Sequence, residues 1–410
     1  MSGTKVPRRK ILVSGASIAG PALAYWLHRY GFEVSVVERA KGFRAGGYPI
    51  DVRGTAVDVV ERMGLLPRLR AAQVEVRKLT FVDGDGTAIA TLAPGAVTGS
   101  VPGRDLELPR GALTALLHQA TREKGIRYRF NDAIDVLMDD GKGIDVWFHS
   151  GARERFDAVI GADGLHSRTR ALVFGPEEKF NHYLGRCFNL FSMPNHAGYA
   201  HESVSYAAPG RMAGIYATGD NAVLHAFLTF ASDKPPFRSH GDVDMQRKRT
   251  AEVFANDGWE VPRLVEAMQK ANDLFFDTVS QIRMPRWSSG RVALVGDAAY
   301  APSFLSGQGT SLALVGAYVL AGELASQPDA EAAFAAYERA LRPYVEANQA
   351  LATDGEPILL PRTREELEHR NRRLAAGHFA PGGGDHAARH RKAHGLLELP
   401  DYVAVLGLGG

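Results

Sequence analysis

Three carboxylates of this chain stand just beyond the ends of apolar runs, and their placement indicates a binding site. Glu38, Asp163 and Asp297 each come within three residues of the end of such a run. Short apolar runs are typical of buried parallel strands. A carboxylate at a strand end accepts hydrogen bonds from hydroxyl groups. These positions therefore favour a ligand that carries several hydroxyl groups.

The first carboxylate ends the stretch VSGASIAGPALAYWLHRYGFEVSVVER (13–39), which has the pattern of a dinucleotide-binding βαβ unit. We predict a strand, a helix and a strand at 10–14, 19–30 and 34–37. Gly15 permits a tight turn, and Gly20 lets the helix pack close to the first strand. Ser17 stands where a second glycine is usual, but its small side chain still allows a close backbone approach. The helix N-terminus would hold a pyrophosphate and Glu38 a ribose. The alternative is an ordinary βαβ unit with a glycine-rich turn.

The second carboxylate lies in the stretch GADGLHSRTR (161–170). An apolar strand delivers Asp163 and Gly164 to a turn, and Ser167 and Arg170 follow. Arg170 has the chemistry to hold a phosphate or to orient the carboxylate. The alternative is a turn capped by Asp163, with Arg170 on the surface.

The third carboxylate lies in VALVGDAAYAPSFLSGQGTSLAL (292–314). Gly307 and Gly309 leave bare backbone N–H groups at the start of a helix, which suits an anion or a polar ring. The alternative is a glycine-rich loop that leads into a core helix.

Composition narrows the class of protein. The chain has 410 residues, 45% of them hydrophobic and 23% charged, which indicates two or three domains and a large core. A formal charge of +2 gives no argument for nucleic acid or an anionic membrane as a partner. The lone Cys187 excludes an internal disulfide and a cysteine-built metal site, and it fits the cytoplasm. No signal peptide is expected, and the apolar segment 310–325 is predicted to be a buried helix.

The chain alternates between two kinds of pattern. Strand-like segments spaced by turn residues run from about residue 175 to 284 and predict an antiparallel sheet. We therefore predict an α/β fold, with a discontinuous Rossmann-like domain and an antiparallel β-sheet domain inserted into it. The Rossmann-like parts are 1–78, 101–175 and 285–325; the inserted parts are 79–100 and 176–284; a C-terminal helical segment and tail fill 326–410. The histidines of the tail, His378, His386, His390 and His394, are interpreted as part of a solvated basic segment rather than a metal site.

The three stretches occur together in the order seen in a known family. The chain resembles the single-component FAD-dependent aromatic hydroxylases, a family that includes p-hydroxybenzoate hydroxylase and the tetracycline-inactivating monooxygenases. The resemblance covers roughly residues 8 to 350 and implies FAD, with NADPH or NADH, as cofactors. The cofactor-binding residues that it implies are Gly15, Ser17, Ile18, Ala19, Gly20, Glu38, Arg39, Arg44, Arg110, Asp163, Gly164, Gly296, Asp297, Gly307, Gln308, Gly309 and Thr310. Tyr300 and Phe304 depart from the family, which usually has a histidine and a proline at these positions.

The resemblance also implies a reaction. NAD(P)H would reduce FAD, O₂ would form a C4a-hydroperoxyflavin, and one oxygen atom would pass to an aromatic or polyketide-like small molecule. FAD would carry the chemistry, so no catalytic side chain and no metal are expected. Baeyer–Villiger oxidation, epoxidation and a geranylgeranyl-reductase-like reduction remain alternatives on the same fold. A non-catalytic nucleotide-binding regulator is the alternative from another class.

The inserted sheet is expected to form the substrate pocket. On the segment AVLHAFLTF, His225 shares a face with Phe227 and Thr229 because side chains alternate along a strand. Substrate-contacting candidates are His225, Phe304, Tyr216, Phe191, Tyr206 and Phe227. For each of them, a place in the core is the alternative. The expected partners are a small aromatic substrate and O₂, and the protein is expected to be a monomer or a homodimer.

Overall fold

The computed structural model describes residues 9–43, 47–219, 222–235, 242–354, 360–378 and 386–407. The strands are β1 (Lys10–Ser14), β2 (Glu33–Glu38), β3 (Pro49–Val52), β4 (Lys78–Val82), β5 (Ala88–Leu92), β6 (Leu106–Pro109), β7 (Arg127–Phe130), β8 (Ile134–Asp139), β9 (Ile144–Phe148), β10 (Arg153–Phe156), β11 (Ala158–Gly161), β12 (Asn181–Pro194), β13 (Glu202–Ala208), β14 (Arg211–Ala217), β15 (Val223–Ala231), β16 (Phe275–Ile282), β17 (Ser288–Ser289) and β18 (Val292–Leu294). The helices are α1 (Ala19–Arg29), α2 (Thr55–Arg62), α3 (Leu66–Ala71), α4 (Pro94–Thr98), α5 (Arg110–Arg122), α6 (Arg168–Phe174), α7 (Val243–Phe254), α8 (Val261–Lys270), α9 (Asp297–Tyr300), α10 (Gly309–Ser326), α11 (Ala330–Asp354), α12 (Arg364–Ala375), α13 (His386–His394) and α14 (Tyr402–Val405).

A six-stranded sheet in the order β17-β18-β11-β1-β2-β7 forms the nucleotide-binding type of domain. Its strands are parallel except for the β17–β18 pair. Parallel strands end at the same edge, so the residues that follow β1, β2, β11 and β18 meet there. All three strand-end carboxylates of the sequence therefore lie at one edge of this sheet.

Helix α1 packs directly against the turn that precedes it. A Cβ atom on Gly20 would lie only 1.9 Å from the carbonyl oxygen of Gly15, so only glycine fits there. The other side of α1 packs on α10, where the Trp26 ring meets Tyr318 edge-on at 4.8 Å. Helix α10 is long and apolar enough to cross a membrane, yet it is mostly buried inside the protein. It serves as the central core helix, as its sequence predicts.

A seven-stranded sheet in the order β16-β12-β15-β14-β13-β4-β5 forms the inserted domain. Its neighbours pair antiparallel except β4 and β13, which are parallel. One face of this sheet packs against α7 and α8 through a core that includes Leu228 and Phe254. The opposite face carries His225, Phe227 and Thr229, because these residues alternate with the core residues along β15.

The prediction of a solvated C-terminal segment was wrong for three of its four histidines, whereas His378 is exposed. His386, His390 and His394 lie on α13, and all three are buried. The main chain of α13 approaches the turn after β3 so closely that a Cβ on Gly54 would lie 2.2 Å from the carbonyl oxygen of His394. The sequence prediction failed because the basic composition of this segment is typical of an exposed one, whereas its three histidines form a buried face of α13.

Candidate functional site

The turn after β1 forms the first part of the site. Gly15 adopts a φ of +110°, and Ile18, Ala19 and Gly20 lead into α1 with their backbone N–H groups at the helix N-terminus. The Ser17 hydroxyl accepts a hydrogen bond of 2.9 Å from the Arg110 guanidinium. Ser17 therefore anchors an arginine at the helix N-terminus, where both groups favour a pyrophosphate.

Glu38 closes the next part of the site at the end of β2. Its two carboxylate oxygens accept hydrogen bonds of 2.8 Å from the backbone N–H groups of Ala16 and Ala40. These bonds fix the carboxylate beside the turn after β1, and each oxygen keeps lone-pair capacity for a ribose hydroxyl. Arg39 is exposed beside it. Arg44 lies outside the described residues.

Asp297 begins α9 directly after Gly296, which has a φ of +65°. The Asp297 side chain is accessible to solvent. Desolvation raises the pKa of Asp297, the Arg110 guanidinium opposes the rise, and the Asp277 carboxylate adds to it. A carboxylate with no hydroxyl partner among the described residues fits a ligand that brings hydroxyl groups, such as the ribitol of FAD.

The loop before α10 forms a surface of glycine backbone that a planar ring could contact. Gly307 has a φ of +65°, and a Cβ on Gly309 would lie 3.7 Å from Asp297 Oδ1. Gln308 is fully buried, yet neither side-chain amide atom has a hydrogen-bond partner within the described part of the chain. Thr310 is buried in the first turn of α10. An unpaired buried amide beside bare backbone fits the polar edge of an isoalloxazine ring, so the residues present suit FAD.

The turn around Asp163 is held by that carboxylate itself. Asp163 accepts hydrogen bonds from the Ser167 hydroxyl at 2.5 Å and from the Thr169 N–H and hydroxyl at 2.9 Å. Gly164 follows with a φ of +83°. Arg170 is fully buried and donates to the Ala298 carbonyl oxygen and to Glu177, so its alternative place on the surface is wrong. Asp163 thus shapes the loop, as the alternative interpretation states, and a direct contact of Asp163 with a cofactor stays a prediction.

The inserted sheet turns a mixed aromatic and polar face towards this edge of the nucleotide domain. Tyr216 of β14 pairs with His225 of β15 on that face, and the Ser192 hydroxyl lies 3.4 Å from His225 Nδ1. Phe304, in the loop before α10, is 45% exposed and stacks on Phe188 of β12, with ring centroids 4.5 Å apart. Phe304 is therefore not a core residue; it stands between the loop and the sheet.

Two of the candidate pocket residues lie elsewhere. Phe191 and Tyr206 belong to the core between the sheet and α7 and α8, on the face opposite His225. The Tyr206 hydroxyl donates to Asp257 at 3.1 Å, in the connection between those two helices. Their prediction as substrate contacts was wrong, because strand alternation depends on a register that the sequence does not reveal.

His166 is a site residue that the sequence interpretation missed. Its ring nitrogens lie 3.0 Å from Glu177 Oε1 and 3.4 Å from Asp277 Oδ2, so it links the loop after β11 to β16 of the inserted sheet. Burial alone would lower the pKa of His166, but the hydrogen bonds to Asp277 and Glu177 outweigh it and raise the pKa to about 9. The position of His166 inside GADGLHSRTR was the one sequence feature that pointed to it, but its partners Glu177 and Asp277 lie outside that stretch.

The fold and the site define the class of protein: a dinucleotide-binding α/β domain that shares its carboxylate-lined edge with an inserted sheet. A family model for the FAD binding domain matches residues 8–352. A flavin-dependent monooxygenase from an unknown prokaryotic organism is 40% identical over 96% of this chain and 99% of its own length. A flavin-dependent monooxygenase of Legionella longbeachae is 35% identical over 83% and 87%.

Solved structures show the same relationship. The crystal structure of tetracycline destructase Tet(55) is 39% identical, covers 96% of this chain and 99% of its own, and superposes with a TM-score of 0.82. The chain therefore belongs to the FAD binding domain family and is a flavin-dependent monooxygenase related to the tetracycline destructases.

Proposed function

We propose that this flavin-dependent monooxygenase takes electrons from NADPH or NADH and inserts one oxygen atom of O₂ into an aromatic or polyketide-like small molecule. The observation that carries the proposal is the exposed Phe304 ring, which stacks on Phe188 between the loop before α10 and the inserted sheet. An aromatic platform beside the loop that suits a flavin ring favours a planar apolar substrate. The hydroperoxyflavin route is proposed on the family resemblance.

The chain's own residues would bind and orient. Arg110 and Ser17 would meet the pyrophosphate, Glu38 the ribose, and Asp297 the ribitol of FAD. FAD, when bound, supplies the activation of O₂. The inserted sheet covers this edge of the nucleotide domain and would exclude water from the reacting atoms.

The first experiment is to purify the protein and precipitate it with acid. Yellow protein that releases FAD into the supernatant is expected, since the site offers no cysteine and Cys187 lies in the core of the inserted domain. Colour left in the pellet, or release of FMN, contradicts the cofactor assignment.

The second experiment measures turnover. NADPH and NADH oxidation and O₂ uptake are followed with a panel of phenolic and polyketide compounds in the presence of isotopically labelled O₂. We expect a substrate that stimulates both rates and gains one labelled oxygen atom, and Asp297→Ala, depleted of FAD, serves as the inactive control. NMR of the product separates hydroxylation from epoxidation and Baeyer–Villiger insertion. A panel with no stimulated oxidation and no labelled product favours a non-catalytic flavoprotein.

A cytoplasmic location and a monomeric or homodimeric state complete the proposal. The single cysteine, Cys187, is buried and free, which suits a reducing compartment. Size-exclusion chromatography with light scattering tests the oligomeric state.

A further inference from the structure

Two carboxyl groups face each other at the border between the two domains. Asp51 of β3 is the direct cross-strand partner of Glu107 of β6. Two like charges at such positions repel each other, so the groups around them decide which one is ionised. Arg53 Nη2 lies 2.6 Å from Asp51 Oδ1, and the Tyr216 hydroxyl of β14 donates to Glu107.

The neighbours give the two carboxyl groups different protonation states. Burial and then the charge of Asp51 raise the pKa of Glu107 to about 8, against the opposing effect of Arg53. Burial also raises the pKa of Asp51, but the ion pair with Arg53 works against that rise, while the Asp105 carboxylate adds to it. Because Arg53 contacts Asp51 directly, the negative charge of the pair is favoured on Asp51 and the proton on Glu107.

This pair borders the loop that suits the flavin ring. A Cβ on Gly307 would lie 3.4 Å from Asp51 Oδ2 and 3.6 Å from Arg53 Nη1. The Asp51 side chain is 22% exposed, whereas that of Arg53 is 7% exposed. Burial and then the charge of Arg53 lower the pKa of His394 on α13. The Asp51 carboxylate is therefore the more exposed member of this ion pair, and the Arg53 guanidinium is largely buried.

The sheet face that carries His225 has few cations. Its positions within 188–192, 212–216 and 225–229 carry no lysine or arginine, and Arg186, the preceding position of β12 on this face, is buried. Burial lowers the pKa of His225, with Asp273 opposing, so its imidazole is neutral at pH 7. Thr229 is buried on the same face, and its hydroxyl has no hydrogen-bond partner among the residues that the structure describes. This unpaired hydroxyl is a second polar group available to a ligand.

We propose that Asp51, Glu107 and Tyr216 form the polar end of the substrate pocket and select uncharged phenols or enols over aromatic carboxylates. The carboxyl O–H of Glu107 donates to a carbonyl or phenol oxygen, and Asp51 accepts from a hydroxyl group. A carboxylate ligand would meet the like charge of Asp51, whose neighbouring cation Arg53 is already paired with it. The inference rests on the proposed function in one respect, that this space is the substrate pocket.

The test is an equilibrium titration of the FAD-bound protein without NAD(P)H. The two probes are 4-hydroxyacetophenone and 4-hydroxybenzoate, which differ in an acetyl group against a carboxylate. Perturbation of the flavin absorbance reports the dissociation constants. Wild-type protein should bind the ketone about tenfold more tightly at pH 7, as expected for one unfavourable like-charge contact near a partly buried site.

Variants separate charge selection from a structural role. Asp51→Asn removes the negative charge and leaves Arg53 without its carboxylate, so the preference for the ketone should vanish or reverse. The matched control is Asp140→Asn, which removes an exposed carboxylate that pairs with Arg155 far from the pocket, and it should leave the preference unchanged. Glu107→Gln keeps a hydrogen-bond donor, so it should keep the preference at pH 7. It should also remove the part of the affinity loss above about pH 8 that comes from ionisation of Glu107.

Three results would overturn the inference: equal or tighter binding of the carboxylate to wild-type protein, an unchanged preference in Asp51→Asn, or no binding of either probe. The proposed function is tested by a different measurement, the substrate-stimulated oxidation of NAD(P)H. A protein with the stated preference but without stimulated NAD(P)H oxidation keeps this inference and loses the activity. An active enzyme that prefers carboxylates loses the inference alone.

Discussion

Replacement of His166 by glutamine should destabilise the protein in a way that depends on pH. His166 lies between Glu177 and Asp277, at 3.0 Å and 3.4 Å, and its pKa is raised from 6.5 to about 9. A group whose pKa is higher in the folded state stabilises that state fully below its unfolded pKa. The contribution is lost as the pH rises through the folded value. The stabilising effect should therefore be complete below about pH 6.5 and absent above about pH 9.

The magnitude follows from the two pKa values of His166. Their difference, at about 1.4 kcal/mol per pH unit, corresponds to about 3 kcal/mol. This is an upper limit, because the side chain is 30% exposed and solvent screens its ion pairs. At pH 9 the same relation leaves less than about 1 kcal/mol.

Urea denaturation followed by circular dichroism between pH 6 and pH 9 measures this effect. The free energy of unfolding of His166→Gln should fall below that of wild-type protein by up to about 3 kcal/mol at pH 6, and the gap should close towards pH 9. The control is His149→Gln, which replaces an exposed histidine and should show no such gap. A gap that stays constant from pH 6 to pH 9 would refute the assignment of a charged His166.

Three further predictions concern the site and the C-terminal segment. Asp297→Ala should weaken FAD binding by about 1–3 kcal/mol, more than Arg39→Ala, because it leaves the buried hydroxyl groups of the FAD ribitol unpaired. Flavin fluorescence titration measures the dissociation constant of each variant, and equal values would contradict this ranking. Phe304→Ala should weaken substrate binding and raise uncoupled peroxide formation at normal FAD content. Unchanged substrate affinity and coupling would contradict a place for Phe304 in the substrate pocket. Burial and the nearby Arg53 and His390 lower the pKa of His394 to about 3, so the neutral form of His394 stabilises the packing of α13, and this stability should be lost as the pH falls from about 6.5 towards 3. Limited proteolysis should therefore cut the C-terminal segment faster in acid. His394→Leu should reduce the pH dependence of this cleavage.

The nucleotide end of the site could be predicted from the sequence because its determinants are local. Gly15, Gly20 and Glu38 lie within one βαβ unit, and the turn, the helix and the strand that position them follow from neighbouring residues. The bounds of β1 were predicted without error, and those of α1 and β2 to within one residue at each end. In each case the apolar period and the breaking residues act over a few turns of chain.

The substrate end required the tertiary structure. Phe191 and His225 are both on strands with alternating patterns, but only the pairing of β12 with β15 and the packing of α7 and α8 decide which face each one joins. Asp51 and Glu107 are 56 positions apart, and only the β3–β6 register brings them opposite each other. Sequence alone thus determined the family, the cofactor class and the βαβ turn of the candidate nucleotide site, which depend on short-range patterns. The charges and faces of the pocket depend on long-range pairing, which only the folded chain decides.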